Sequence, residues 1–227
     1  MTNIYELQSV TKKLIGEFLN MSIEEVEQAI KDNPQKAKTD WYKLGKDKYY
    51  EETLVHLFGL ADYNTAIRLE EVIFPFRHLV GLTILDFGGG IGSMSTLFAD
   101  RHNVLYYDLP SKTQEFAKFM AKKLNKKIKF LTKEELLTVE PHIILAMDVL
   151  EHLDSPVTYV KMLTSKLKRG GYFLTTGLDF SIGPHTPMHL PENTQYKEEY
   201  ENFMNENFFL QYQNIGKYGV VRGWIKK

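Results

Sequence analysis

The first chemistry this sequence offers is a run of glycines with a carboxylate in front of it. Asp86 and Phe87 lead into Gly88, Gly89, Gly90, Ile91 and Gly92. Glycines let a backbone turn sharply and approach a ligand closely. A helix beginning near Ser93 presents free N–H groups to a carboxylate or a phosphate. Two ligand classes use such a loop. The dinucleotide fingerprint is Gly-x-Gly-x-x-Gly. Gly88 and Gly90 fit it, but Ser93 stands at the third position and Gly92 gives Gly-x-Gly-x-Gly instead. Asp86 is the sharper discriminator. A carboxylate two residues before the glycines repels a pyrophosphate. It suits S-adenosylmethionine, which carries a sulfonium and an ammonium beside one carboxylate. Asp108 lies 20 residues after Gly88. At that spacing an acidic side chain accepts hydrogen bonds from ribose hydroxyls in either class. Its plainer role is an N-cap for a helix near Ser111.

Histidines and aromatic residues come next. His152 follows the fourth apolar run of the second half, and His185 and His189 follow the fifth. All three are candidate bases, needed only where a nucleophile must lose a proton. Pro184, Pro187 and Pro191 argue against a helix that would aim His185 and His189 at one zinc ion. The alternative is a proline-stiffened loop whose histidines bond to backbone. Trp41, Tyr42, Tyr49 and Tyr50 form an aromatic cluster, with Lys46, Asp47, Lys48, Glu51 and Glu52 around the last pair. They suit a substrate-covering lid; interhelical core is the commoner fate of such residues. Lys112, Lys118, Lys122, Lys123, Lys126, Lys127 and Lys129 read as a solvated face. No aromatic stacking platform is interleaved with them, as an RNA groove needs.

The elements that position these residues change texture near Gly81. Beyond it, apolar runs at 83–87, 104–107, 128–131, 143–147 and 172–176 alternate with helical patterns starting near Ile91, Ser111, Lys133 and Ser155. Such alternation predicts a parallel sheet covered on both faces. Ligands then lie beyond the carboxyl ends of its strands. Ser155 is expected to cap a helix with Pro156 at its first position and Val157, Val160, Leu163 and Leu167 as its buried stripe. Strands at 208–213 and 218–225 flank a turn at 214–217, a hairpin closing the sheet. Residues 1–80 read as helical. Ile4, Leu7, Leu14, Ile15, Phe18 and Leu19 recur at roughly helical spacing, and Ser22 with Glu25 makes a capping box. Asn33 and Pro34 are expected to end that helix. A lysine-rich polar stretch follows at 35–40. Further helix is expected at 51–78, with breaks at Gly59 and Pro75. This divides the chain into an N-terminal helical cap or lid, 1–80, and a Rossmann-like domain, 81–227.

Composition sets the outer bounds. A chain of 227 residues, 43% hydrophobic, can build a proper core. A net charge of −1 offers no general attraction to nucleic acid or to an anionic membrane. The absence of cysteine excludes disulfides, zinc–thiolate sites and a cysteine nucleophile. No apolar run approaches the roughly 20 residues of a membrane span. The first residues lack the basic and apolar regions of a secretory signal. The expectation is a cytoplasmic protein without membrane insertion or a nucleic-acid partner. Its oligomeric state stays open.

With the glycine loop, Asp108, and Asp148, Val149, Leu150, Glu151, His152 and Leu153 together, residues 81–227 resemble the class I S-adenosylmethionine-dependent methyltransferases. The resemblance implies an α/β, doubly wound, mostly parallel seven-stranded sheet with an antiparallel last strand, here behind the helical cap. It implies a cofactor site of Asp86, Phe87, Gly88, Gly89, Gly90, Gly92, Asp108, Leu109, Met147 and Asp148. Glu151, His152 and Leu153 look like the subset that includes many small-molecule methyltransferases. The same stretch is similar to the ubiquinone-biosynthesis O-methyltransferases, where an acidic-x-x-Glu-His pattern accompanies a divalent cation. Carried across, Asp148, Glu151 and His152 would hold magnesium. A single imidazole suits magnesium poorly, so the expectation is no required metal, with Glu151 and His152 ordering the loop. The implied activity is methyl transfer to a small-molecule substrate. The alternatives are a protein or RNA methyltransferase, a nicotinamide-dependent oxidoreductase, and a non-catalytic cofactor-binding relative.

Overall fold

A computed structural model of the protein describes residues 4–63, 69–70, 72, 74–176, 188–216 and 219–227. Seven strands form one sheet in the order β3-β2-β1-β4-β5-β7-β6. They are β1 (Thr83–Phe87), β2 (Asn103–Tyr107), β3 (Ile128–Phe130), β4 (Ile143–Ala146), β5 (Tyr172–Thr175), β6 (Phe208–Gly216) and β7 (Gly219–Lys226). Strands β1 to β5 are parallel, and β7 runs antiparallel to both β5 and β6. The turn between β6 and β7 expected at 214–217 is shorter, since β6 runs on through Gly216. A β-bulge between Leu210 and Tyr212 kinks β6.

The helices are α1 (Ile4–Leu19), α2 (Ile23–Leu44), α3 (Lys46–Glu52), α4 (Val55–Tyr63), α5 (Ser93–Phe98), α6 (Lys112–Lys123), α7 (Lys133–Leu136), α8 (Pro156–Lys166) and α9 (Lys197–Asn207). One face of the sheet is covered by α8 and α9, through Val157, Val160, Leu163, Tyr200 and Met204. The other is covered in part by the N-terminal region, with Leu7, Leu69, Val72 and Phe76 against Ile84, Val104, Ile143 and Leu145. A third cluster joins α1, α2 and α4 to α6 through Ile15, Val26, Leu57, Phe116 and Met120. The core therefore crosses position 80.

Several local expectations change. Pro34 does not end α2. The helix continues to Leu44 because Val26, Ile30, Asn33 and Ala37 keep one buried face across it. The lysine-rich stretch at 35–40 is mostly the solvent side of that helix. The Ser22–Glu25 capping box forms, with Ser22 Oγ accepting from the Glu25 N–H at 3.2 Å and Glu25 Oε2 accepting from the Ser22 N–H at 2.6 Å. The next breaks fall at Gly45, with φ +73°, and at Thr53; Gly59 lies inside α4. Ser155 precedes α8 as expected, but its side chain makes no capping bond. Helix α9 was not anticipated, although Tyr200, Phe203 and Met204 sit at helical spacing.

Candidate active site

The loop after β1 is held by its own carboxylates. Gly92, with φ +78°, is the N-cap residue of α5 and has no side chain to cap it. Asp86 reaches forward from β1 to do that work. Its Oδ2 accepts the Ser95 N–H at 3.1 Å and the Ser95 hydroxyl at 2.6 Å. Asp86 is only 4% exposed, and burial raises its pKa to about 6. The carboxylate expected to face a cationic ligand is thus turned inward to organise the loop.

Asp108, at the end of β2, does face a cavity. Its Oδ2 accepts the Gly90 N–H and its Oδ1 the Leu109 N–H, both at 2.7 Å. A carboxylate has about four acceptor positions; Oδ2 also has the Tyr106 hydroxyl at 3.4 Å, so the spare capacity for a diol lies mainly on Oδ1. Burial raises the Asp108 pKa, and the Gly90 and Leu109 N–H bonds oppose that shift. Tyr106 braces the other side of the loop, its hydroxyl donating to the Gly90 carbonyl at 2.6 Å.

The cavity has a volume of about 280 Å³. Phe87 and Gly88 floor it, Asp108 and Leu109 bound it on the β2 side, and Asp148, Val149 and His152 bound it on the β4 side. Lys46, Tyr50 and His56 line it from the N-terminal helices. Gly88 needs its missing side chain: a Cβ there, at φ +69°, would meet Val149 Cγ2 at 2.5 Å. Asp148 adopts a left-handed φ of +49°, uncommon for a residue with a side chain. Its N–H donates to Thr176 Oγ1 at 2.8 Å.

Most other expected site residues do not line the cavity. Added side-chain atoms at Gly89 and Gly90 would meet Tyr106 at 2.5 Å and Leu60 at 2.5 Å, so these glycines fit protein against protein. Gly92 faces Ala117 of α6. Met147 packs into the sheet-face cluster. The aromatic cluster splits. Tyr50 lines the cavity, Tyr49 is buried at 1% exposure, Trp41 packs edge-on against both, and Tyr42 is 70% exposed on the surface. Tyr49 and Tyr42 therefore do not line the cavity: α3 turns one inward onto Ala37 and Val55, and α2 turns the other to solvent.

The histidines separate in the same way. His152 Nδ1 lies 2.9 Å from the Met188 carbonyl, and its ring centroid is 5.3 Å from that of His189. His185 lies outside the described residues. Burial lowers the pKa of His152 to about 4, with further lowering from the neighbouring His189, His56 and Lys46 and opposition from the Met188 bond. His56 is lowered to about 4 by burial alone. Both rings are weak bases near neutrality. One side-chain atom each from Glu151, His152 and His189 lie within 4.8 Å of one another. That grouping has His189 where the resemblance has Asp148: Asp148 lines the cavity, and the Leu190 N–H donates to the Glu151 carbonyl.

Lys46 and His56 were missed from sequence. The signal for His56 was a lone ionisable residue among Leu54, Val55, Leu57 and Phe58. Lys46 forms an ion pair with Asp154 beside the cavity mouth, a contact between distant parts of the chain that no local pattern announces.

A family model described as "Methyltransferase domain" matches residues 50–213. No curated protein matches the sequence. Among solved structures, an O-methyltransferase family protein from Burkholderia thailandensis aligns with TM-score 0.60 at 14% identity, over 88% of this chain and 71% of its own. Magnesium protoporphyrin IX methyltransferase from Synechocystis PCC 6803, with bound SAM, aligns with TM-score 0.57 at 15% identity, over 86% and 98%. TehB from Haemophilus influenzae aligns with TM-score 0.54 at 18% identity, over 80% and 67%. At these identities the likeness is one of fold.

Proposed function

The chain belongs to the methyltransferase-domain family of S-adenosylmethionine-dependent enzymes, and on that premise we propose that its acceptor is a small organic molecule enclosed between the sheet and the N-terminal helices. The observation that carries this reading is the cavity itself. At about 280 Å³ it lies just below the roughly 300–1,000 Å³ of small-molecule sites, and the donor held by Asp108 shares it with the acceptor. Its outer wall is Lys46, Tyr50 and His56. A polypeptide or RNA acceptor would have to pass that wall to reach the donor.

The chain's residues divide the work. Asp108 offers acceptor positions to the ribose diol of the donor. Gly88 lets the loop approach it, and Leu109 and Val149 supply apolar walls. The bound donor supplies a methyl group already activated by a sulfonium leaving group. What remains for the protein is to hold the acceptor in line and keep water out. Tyr50 and His56 stand where an acceptor would be covered.

The test uses donor labelled in its transferable methyl. The protein is incubated separately with a panel of small hydroxylated and aminated compounds, with total protein and with total RNA. Label is expected in the small-molecule fraction. Transfer to protein or RNA alone would defeat the small-acceptor reading while leaving the family assignment intact.

A further inference from the structure

Given the small-acceptor reading, on which this inference rests, we propose that Tyr50 and His56 form the binding site for an uncharged hydroxyl group of the acceptor. Both residues line the cavity from the N-terminal helices. Their ring centroids lie 5.3 Å apart, edge to face at 86°. The Tyr50 hydroxyl is buried with no hydrogen-bond partner among the described residues. The His56 ring has no hydrogen bond among them either. Buried polar groups are otherwise hydrogen-bonded in about nine cases of ten or more. Among the described residues with such an unbonded side-chain atom, Tyr50 alone lines the cavity. Asn193, Tyr200 and Trp224 hold theirs elsewhere. Two unbonded polar groups on adjacent rings of one cavity wall point to a ligand that completes them.

The chemistry of the pair selects the ligand group. Burial pushes the Tyr50 phenol up, with Tyr49, Glu151 and Asp108 adding to the shift. Tyr50 therefore keeps its proton and has it to donate. His56 is neutral near pH 7, since burial lowers its pKa to about 4. A neutral imidazole carries one N–H and one bare nitrogen, and it can present either to the cavity. A hydroxyl suits both cases. Its oxygen accepts from Tyr50. The same group then donates to the bare ring nitrogen or accepts, on its second lone pair, from the N–H.

Other groups fit less well. A carboxylate would join Asp108, Asp148 and Asp154 in one cavity. Lys46, the lysine of the lining, is already paired with Asp154. Burying a further anion without a partner is costly. An ammonium has no lone pair for the Tyr50 proton, and a thiol accepts only weakly.

The full chain, with its donor site filled by the unreactive demethylated donor S-adenosylhomocysteine, is titrated by calorimetry with phenol, aniline, benzoate and toluene, and with their cyclohexane counterparts. The hydroxyl compound of each set is expected to bind roughly tenfold tighter than the ring without a polar group, as two hydrogen bonds allow. Tyr50→Phe should cut that preference several-fold and leave toluene binding unchanged, a split that a merely structural role would not produce. His56→Leu should do the same. His56→Gln, which keeps a donor and an acceptor, should restore the preference. Circular dichroism checks that the variants fold. Tyr50→Phe removes one oxygen atom and carries the test should His56→Leu fail to fold. A hydroxyl preference that neither variant changes overturns the site, as does tightest binding of the amine or the carboxylate. Hydroxyl compounds that bind no tighter than the bare rings also overturn it, leaving an ordered water only as the partner of Tyr50 and His56. Transfer of labelled methyl to protein or RNA alone defeats the small-acceptor reading, whatever the ring titrations show.

Discussion

At the residue scale, Asp86 and Asp108 show how similar carboxylates part ways. Asp86 is buried and Asp108 half-buried; Asp86 spends acceptors on Ser95, while Asp108 keeps some on the cavity side. Asp108→Ala should weaken donor binding in calorimetry by roughly tenfold or more, since bonds to a charged acceptor contribute about 1.5–3 kcal/mol each. Unchanged affinity would move the ribose elsewhere. His56 gives a pH signature. Burial lowers its pKa from 6.5 to about 4. The unfolded chain therefore takes up the proton first, and stability from this group is present above pH 6.5 and lost as pH falls through 4. Asp86 acts with the opposite sign. Its pKa is raised from 3.8 to about 6, so its contribution is present below 3.8 and lost as pH rises through 6. The two partly offset each other, so the informative quantity is a difference. Between pH 6.5 and 4, the melting temperature of His56→Gln should fall less than that of the wild type. Parallel slopes would mean that His56 is solvated in the folded state.

At the element scale, α3 is the short helix that brings the N-terminal region to the cavity. Its two tyrosines separate packing from function. Tyr49 is core, against Ala37, Val55 and Trp41. Tyr49→Ala should cost about 3–5 kcal/mol, as large aromatic truncations do, and lower the melting temperature by roughly ten degrees. Tyr50→Phe removes only a buried hydroxyl that lacks a partner among the described residues. It should melt near the wild-type temperature yet turn over more slowly. Thermal scans and single-turnover methylation of both variants decide; equal behaviour in both assays would make α3 plain scaffold. Sequence patterns located the five parallel strands to within a residue at each end, because buried β-runs bounded by glycine and polar residues are local signals. They stopped α2 at Pro34, since the buried stripe that carries it onward is a tertiary fact. They grouped four aromatics that the helices then distribute to cavity, core and surface. The contribution of His189 was partly legible: its position after β5 made it a candidate, but its partnership with Glu151 depends on backbone bonds no spacing encodes.

At the scale of the whole molecule, the question is whether residues 1–80 cap a finished domain or complete an unfinished one. The glycine loop and strand pattern from Gly81 onward suggest completeness. The packing argues otherwise. Leu7, Leu69, Val72 and Phe76 cover Ile84, Val104, Ile143 and Leu145, all buried residues on one face of the sheet. Leu60 of α4 sits 2.5 Å from where a Gly90 side chain would begin, so the ligand loop itself is shaped against the N-terminal region. The family match likewise begins at residue 50, upstream of the first strand. Each large side chain returned to water costs about 1.5–3 kcal/mol, and a domain holds only about 5–15 kcal/mol in total. A chain of residues 81–227 should therefore lack a cooperative thermal transition, bind a hydrophobic dye and fail to bind the methyl donor, while the full chain melts in one step. A truncated chain that melts cooperatively and binds the donor with full-length affinity would restore the N-terminal region to an independent cap.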